Sequence, residues 1–490
     1  MLSGGTDVYK HWKQSAFLLC SSATGAYCPR PMAKPQQISP WRHEMLATLR
    51  LSLPLAVANM LQMAVYAIDV IFVARLGQTA LAASSLSVSL FGLMVWSLFG
   101  LTGAVAPLVA AELGARRHAV RSIRRSTRMA VWLAVMVGIV AMVVAGQGRT
   151  IMLATGQSPE VARLAGGFLG IIRWAIVPMI IGNVLRSVVS TLGRPMFATA
   201  ITALAIVVNA AGNYTLVFGH WGMPALGLYG SALSSVLTAT VTMTAYGAVI
   251  LLDRRLRRYH LAGFWWRPDW ARFGELLRIG APISLTVLAE AGLFGAAAFL
   301  MGRIGEAELA AHTLALQIAA FAFQLPMGIG QAATIRVGYH FGAGDRAAMG
   351  RAGWAALVIG LALAMVSSAI MVLMPLTVLS AYVDVAAPER GAMVALAVRY
   401  LLVAAAFQLA DGTQAILAGA LRGLQDTQVP MAVALFGYWL PGFGVSVVLG
   451  LYTPLGGMGV WIGLASGLVV VAALLSWRWT ARDRLGLVAV

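Results

Sequence analysis

The chain has 490 residues, of which 60% are hydrophobic and 11% charged, with a mean hydropathy of +0.82. A soluble globular chain carries about 25% charged residues, so this composition excludes a water-soluble fold and makes lipid the natural solvent. The net charge of +18 would suggest nucleic acid in a soluble protein. Here the basic residues sit in a few loops between apolar runs, with no aromatic-basic module beside them, and the charge reads as topological.

The first residues differ from the rest. All three lysines (Lys10, Lys13, Lys34) and both cysteines (Cys20, Cys28) fall there, whereas the other 32 basic residues are arginine. Two cysteines are too few for a disulfide framework and lack zinc spacing. The apolar run 16–20 is too short for a signal peptide. Residues 1–44 are expected to form a disordered tail, or to include an over-extended start ahead of initiation at Met32.

Apolar runs long enough to cross ~30 Å of hydrocarbon as helix follow at 50–74, 81–110, 129–152, 162–186, 196–218, 228–252, 277–302, 308–335, 352–380, 394–421, 429–451 and 457–478. Period-2 alternation is weak, which argues against a β-barrel. With the N-terminus inside, the inside segments hold 28 Lys or Arg and the outside loops six, leaving Arg173 within a span. Basic loops stay cytoplasmic, so both termini are expected inside. A basic linker, 253–275, separates spans 1–6 (45–252) from spans 7–12 (276–480), and 481–490 is a cytoplasmic tail.

The two halves repeat. Pro54, Arg75, Gly77, Leu81, Ala82, Ala83, Gly100 and Gly114 recur as Pro282, Arg303, Gly305, Leu309, Ala310, Ala311, Gly328 and Gly342, each 228 residues later. Leu226, Gly227 and Gly230 recur as Leu455, Gly456 and Gly459 at an offset of 229. A shift of six spans keeps orientation, so the fold class is an all-α membrane bundle of twelve helices in two parallel repeats. Substrate normally binds between such halves near the midplane.

Three acidic residues lie deep in spans: Glu290, Asp411 and Asp69. A charge at helix centre costs about 2.5–3.5 kcal/mol on insertion scales, so it persists where it faces a bundle interior and has a task. Such a carboxylate can take up a proton, bind a monovalent cation with help from other oxygens, or pair with a cationic substrate. Glu290 is flanked by Thr286, Ala289 and Gly292, and its counterpart in repeat register is Gln62. Asp411 lies in a polar island with Gln408 and Gln414, spaced by three on roughly one face. Asp69 stands near Arg75, which leaves open a pair or cap at the interface. Asn209 and Asn213, at i and i+4, could join Asp69 in a first-half site. For Glu290 and Asp411 the alternative is a hydrogen bond to a neighbouring helix. Arg173 either lines a cavity or snorkels outward.

Enzyme motifs fail. His43-Glu44 lacks the second histidine of a zinc-protease helix, and there is no phosphate-binding Walker loop, so ATP is not the direct energy source. Gly328-x-Gly330-x-x-Ala333 lies within an apolar span and reads as close helix packing. No cofactor is expected.

These residues resemble the multidrug and toxic compound extrusion (MATE) transporters of the NorM-like branch, over about 45–480. The resemblance rests on Glu290, Arg303-x-Gly305, Ala310-Ala311-His312, Pro326-Met327-x-Ile329-Gly330 and Ile335-Arg336-Val337-Gly338. Further matches are Gln408-x-x-Asp411, Gly419-x-Leu421-Arg422-Gly423, Tyr438-Trp439, Asp69, Leu185-Arg186-Ser187 and Asn209-x-x-x-Asn213. It implies a V-shaped pair of six-helix lobes and efflux of cationic or amphipathic small molecules, driven by inward H+ or Na+. It implies that Glu290 and Asp411 are the second-lobe carboxylates, with Na+ a ligand there if sodium is the coupling ion. It assigns Asp69, Asn209 and Asn213 to the first-lobe cluster. Two positions depart from the family pattern: Phe407, where a tyrosine is usual, and Val70, where a hydroxyl residue is usual. The missing phenol favours protons over sodium. The expected location is a bacterial inner membrane, as a monomer. The second reading is a flippase for lipid-linked oligosaccharide or lipid, which would present a basic cavity; the third, an intramembrane lipid enzyme, lacks a deep nucleophile.

Overall fold

The computed structural model describes residues 39–115, 119–261, 263–385 and 387–488. Twelve helices among them are long and apolar enough to cross a membrane. In lobe 1 these are α1 (Pro40–Ala74), α2 (Gln78–Ala115), α3 (Ala119–Gly146), α4 (Pro159–Thr191), α5 (Met196–Phe218) and α6 (Leu228–Leu252). In lobe 2 they are α7 (Trp270–Ile304), α8 (Glu306–Gly342), α9 (Arg346–Leu373), α10 (Gly391–Gly423), α11 (Gln428–Leu451) and α12 (Gly457–Thr480). Helix is the solution that satisfies every backbone N–H and C=O inside lipid.

The boundaries differ from the sequence reading in informative places. Cys20, Cys28 and Met32 lie outside the described residues, but α1 already begins at Pro40, inside the expected tail. Spans 3 and 9 were expected to run to 152 and 380. Instead α3 stops at Gly146 and α9 at Leu373, and each is followed by a separate short helix, Gly148–Ala154 and Pro375–Ser380. Pro375 opens its short helix where a missing N–H costs nothing. The linker contains the helix Arg254–Arg257, and its last residues are the first turns of α7.

Each lobe has its own core. Lobe 1 buries residues such as Phe91, Leu133, Phe168, Ile180 and Tyr246, and lobe 2 buries Leu293, Tyr400, Trp461, Leu464 and Trp479. The entry turns of α7 cross over: Leu276, Ile279 and Ile283 belong to the lobe 1 core. Large apolar side chains such as Val140, Val143, Leu252 and Leu373 point outward, as a lipid-facing surface requires.

The repeat is visible in the backbone. Gly227 (φ 55°, ψ −129°) and Gly456 (φ 51°, ψ −128°) precede α6 and α12 in the same glycine-only conformation. It is also visible where the lobes meet. A Cβ on Gly114 would overlap the carbonyl oxygen of Tyr339, and one on Gly342 would overlap that of Ala111. A Cβ on Gly100 would lie 3.1 Å from Cα of Ser284, and one on Gly328 2.7 Å from Cα of Ala56. Adding 228 to Gly114 and Ala111 gives Gly342 and Tyr339; adding it to Gly100 and Ala56 gives Gly328 and Ser284. Each crossing is therefore returned by its twin, the signature of an isologous two-fold contact, and the glycines let the backbones touch. A small apolar group (Leu55, Ala58, Ala198, Ile335) and a Ser97–Ser284 hydrogen bond of 2.7 Å complete this seam.

Candidate functional site

Two polar clusters lie inside the bundle, one per lobe. In lobe 1 the Asp69 carboxylate of α1 accepts from Asn209 Nδ2 at 2.9 Å and Asn213 Nδ2 at 2.7 Å, both on Oδ1. Its Oδ2 accepts from Ser235 Oγ of α6 at 3.2 Å. Asn209 and Asn213 have no exposed surface. They stand one turn apart on α5, so both amides reach the same oxygen. Ser234 Oγ donates to the Asn209 carbonyl at 3.0 Å, and Gly212 lets α6 approach that closely. Asn213 Oδ1 is buried with no partner. The cluster thus offers a carboxylate met by neutral donors only, plus one unused carbonyl oxygen. Asp69 does not pair with Arg75, which is exposed, so the interfacial cap alternative is not what the structure contains. Ser235 was not legible in the sequence, where a hydroxyl in an apolar helix usually bonds its own backbone.

In lobe 2, Asp411 Oδ1 of α10 accepts from Gln414 Nε2 at 2.9 Å, and Gln414 Oε1 accepts from the Tyr438 hydroxyl at 2.6 Å. Tyr438 opens a six-residue π-helical stretch in α11, Tyr438–Phe443, which holds Pro441. Such bulges recur at functional sites because the extra residue re-aims the side chains around it. Glu290 of α7 is within Coulombic reach of Asp411 and of Arg422 at the end of α10. Two residues on, a Cβ at Gly292 would lie 3.0 Å from the Trp439 ring, so α11 packs closely on α7 there. A phenol therefore still enters this cluster, from α11. Phe407 points elsewhere and stacks on Trp461 with ring centroids 5.5 Å apart.

One of the expected accessory residues makes no hydrogen bond to this cluster. Gln408 shares the i, i+3 spacing but is fully buried, and neither its Nε2 nor its Oε1 has a partner among the described residues. It does not join Asp411 and Gln414. Spacing by three drifts around a helix by about 60° per step, enough to separate the two ends of the run. Arg173 is also away from both clusters: it packs against Gly146 at the end of α3 and lies 5.6 Å over the Trp174 ring. Among the described residues no group of three His, Cys, Asp or Glu is placed to hold a metal ion.

A third feature was missed entirely. Glu44 of α1 takes a bidentate grip from Arg336 of α8: Nε to Oε1 at 2.8 Å and Nη2 to Oε2 at 2.7 Å. His340, one turn on, lies 3.2 Å from Arg336 Nη2 and 3.5 Å from Glu44 Oε2. This ion pair links the lobes at the ends of α1 and α8 nearest the termini. Glu44 had been assigned to the tail, and 292 residues separate the partners, so no local pattern could reveal it.

Comparison with known proteins agrees with this architecture. The MatE family profile matches residues 54–215 and 282–448, one segment in each lobe. The probable multidrug resistance protein NorM of Mesorhizobium japonicum is 44% identical over 91% of this chain and 95% of its own length. The multidrug resistance protein NorM of Burkholderia vietnamiensis is 38% identical over 92% and 96%. Among solved structures, the eukaryotic MATE transporter AtDTX14 superposes with a TM-score of 0.80 at 20% identity, covering 91% of this chain and 98% of that one. An outward-facing MATE family transporter of the MOP superfamily gives 0.80 at 20%, covering 92% and 99%. The match of fold, profile and whole-length relatives makes this a multi-pass membrane protein that belongs to the MatE family.

Proposed function

We propose that the protein is a secondary active multidrug efflux transporter, exporting cationic or amphipathic small molecules in exchange for H+ or Na+. The observation that carries the reading is the pair of interior acidic clusters, Asp69 in lobe 1 and Glu290 with Asp411 in lobe 2. The names of the NorM relatives, multidrug resistance proteins, support drug export, and the loop charge asymmetry supports both termini being cytoplasmic. On this reading the Glu44–Arg336 pair and the glycine crossings hold the cytoplasmic side together, so the state described faces outward. A cation or proton arriving from outside occupies a carboxylate cluster, its charge replaces that of the bound drug, and the drug leaves. Reopening toward the cytoplasm returns the cation and admits the next drug. The ion biases a two-state equilibrium by its differential affinity for the two states.

Deep charge that is largely acidic favours cationic cargo over the pyrophosphate of a lipid-linked oligosaccharide, the ligand of the alternative flippase reading. The test is transport of ethidium in proteoliposomes, with a Na+ gradient and a pH gradient imposed separately. Wild type should be driven by one of them, with Asp69→Asn, Glu290→Gln and Asp411→Asn impaired. Transport by neither gradient, or undiminished transport in all three variants, would overturn the carboxylate mechanism.

A further inference from the structure

Another site of concentrated charge lies outside both clusters, where α3 and α7 begin and the linker between the lobes folds back on α3. Arg128 Nη1 donates to the Phe264 carbonyl at 2.9 Å, and Trp132 Nε1 donates to the Trp265 carbonyl at 3.1 Å. The Arg124 guanidinium sits 4.9 Å from the Phe264 ring centroid and that of Arg267 5.4 Å from it. Arg125 is ion-paired with Asp269. Arg124, Arg125, Arg128 and Arg267 therefore converge on one short segment; Asp269 pairs with Arg125, and Glu112 lies within Coulombic reach of Arg125 as well.

The charge does not balance. Among the described residues four arginines face two carboxylates, Asp269 and Glu112, an excess of two. If Arg272 is added together with Glu275, its partner besides Glu112, five arginines face three carboxylates and an excess of two remains. Arg128 is 5% exposed, and its Nε and the Nε of Arg124 are buried with no hydrogen-bond partner among the described residues. A buried cation without a counterion is costly, and an unused guanidinium N–H beside it is a donor waiting for an anionic oxygen. The surroundings say which anion. Phe264, Trp266 and Trp270 are 44%, 74% and 62% exposed, and aromatic rings at span ends lie at headgroup depth. Basic pockets between membrane helices on this side of a bundle are where anionic headgroups dock.

The geometry points to a binding site for one anionic phospholipid at this junction, its phosphate held by Arg124 and Arg267 over the buried charge of Arg128 and its glycerol and acyl chains lying along Trp266 and Trp270. A lipid seated there would bridge α3 of lobe 1 to the linker and the start of α7, and so to the connection between the lobes. The site involves none of the acidic residues assigned to transport, so it stands or falls independently of the coupling mechanism.

The test is native mass spectrometry of the full chain, titrated with dioleoylphosphatidylglycerol and, separately, with dioleoylphosphatidylcholine. Wild type should retain phosphatidylglycerol roughly tenfold better, and Arg124→Gln/Arg267→Gln should lose that preference. Arg254→Gln/Arg255→Gln changes the same linker outside the cluster and should keep it. Melting in phosphatidylcholine checks that the variants fold; if the double variant melts early, Arg267→Gln alone, at an exposed position, carries the comparison. The proposal is overturned if the cluster variant keeps the preference, or if the control loses as much, which would mean a diffuse basic face. It is equally overturned if inorganic phosphate, but not the lipid, binds with the same arginine dependence, which would mean a free-anion site.

Discussion

The two lobes share a backbone plan and differ in what they bury. In lobe 1 a single carboxylate, Asp69, is met by three neutral donors from α5 and α6. In lobe 2 two carboxylates share an interior with Arg422, Gln414 and Tyr438. Where lobe 2 has Glu290, lobe 1 has Gln62. Duplication thus preserved helices, crossings and glycine turns while the polar interior diverged, so backbone symmetry is a poor guide to where the chemistry sits.

Under the proposed ion-driven transport, the strongest way to break the comparison is to remove each charge and read transport. Asp69→Asn should lower it on the order of 100-fold, because hydrogen bonds to a charged group contribute about 1.5–3 kcal/mol and 1.4 kcal/mol is a factor of ten. If Glu290→Gln and Asp411→Asn fall equally, coupling needs both lobes; if one lobe's variants transport normally, coupling lives in the other. Next is the tie between lobes. Arg336→Ala leaves the buried Glu44 with only His340 Nε2, 3.5 Å away, and should cost about 3 kcal/mol, read as a lower melting temperature. It should also lengthen the spin-label distance between α1 and α8 at the termini side, and the charge exchange Glu44→Arg with Arg336→Glu should restore part of both. An unchanged distance would mean that the pair does not hold the lobes together.

Smaller effects sharpen the contrast within each lobe. Asn213→Ala removes a donor to Asp69 and should destabilise by about 2 kcal/mol, whereas Tyr438→Phe removes one neutral bond and should cost about 1 kcal/mol; both are read by thermal unfolding in one detergent. The reverse order would mean that the second-lobe network is the more tightly organised. The smallest effect concerns Asp269, outside both clusters. Burial pulls its acidity toward higher pH, but hydrogen bonds from Arg125 and the Arg272 backbone, with the charges of both arginines, outweigh it and hold the carboxyl below the ordinary range. Its contribution to stability is therefore present at neutral pH and lost as pH falls through the depressed value. Wild type should melt above Asp269→Asn at neutral pH, and the two should converge in acid.

Much of this was legible in the sequence. Hydropathy located all twelve helices, and the 228-residue offset exposed the glycines that meet at the two-fold seam. Asp69, Asn209 and Asn213 were grouped correctly because i, i+4 spacing is a local signal and the rarity of deep acids is a compositional one. What could not be read was the break at Met374, where apolar composition continues from one helix into the next; the break at Gln147 falls in the polar run Gly146-Gln147-Gly148-Arg149 and was overlooked. Partners in other helices, such as Ser235, Tyr438 and the Glu44–Arg336 pair, depend on packing that no short window contains. Gln408 has the spacing of Asp411 and Gln414 but no hydrogen-bond partner among the described residues, a difference that spacing alone does not carry.

The reciprocal glycine crossings have a consequence for how the lobes can move. At Gly114 and Gly342 the obstacle facing each glycine is a peptide carbonyl, which cannot be trimmed by mutation or relieved by rotating a side chain. The two contacts also lie on opposite sides of one axis, so a shift at one must be matched at the other. Such a joint cannot be compressed, and any separation of the lobes at this seam must part both crossings together.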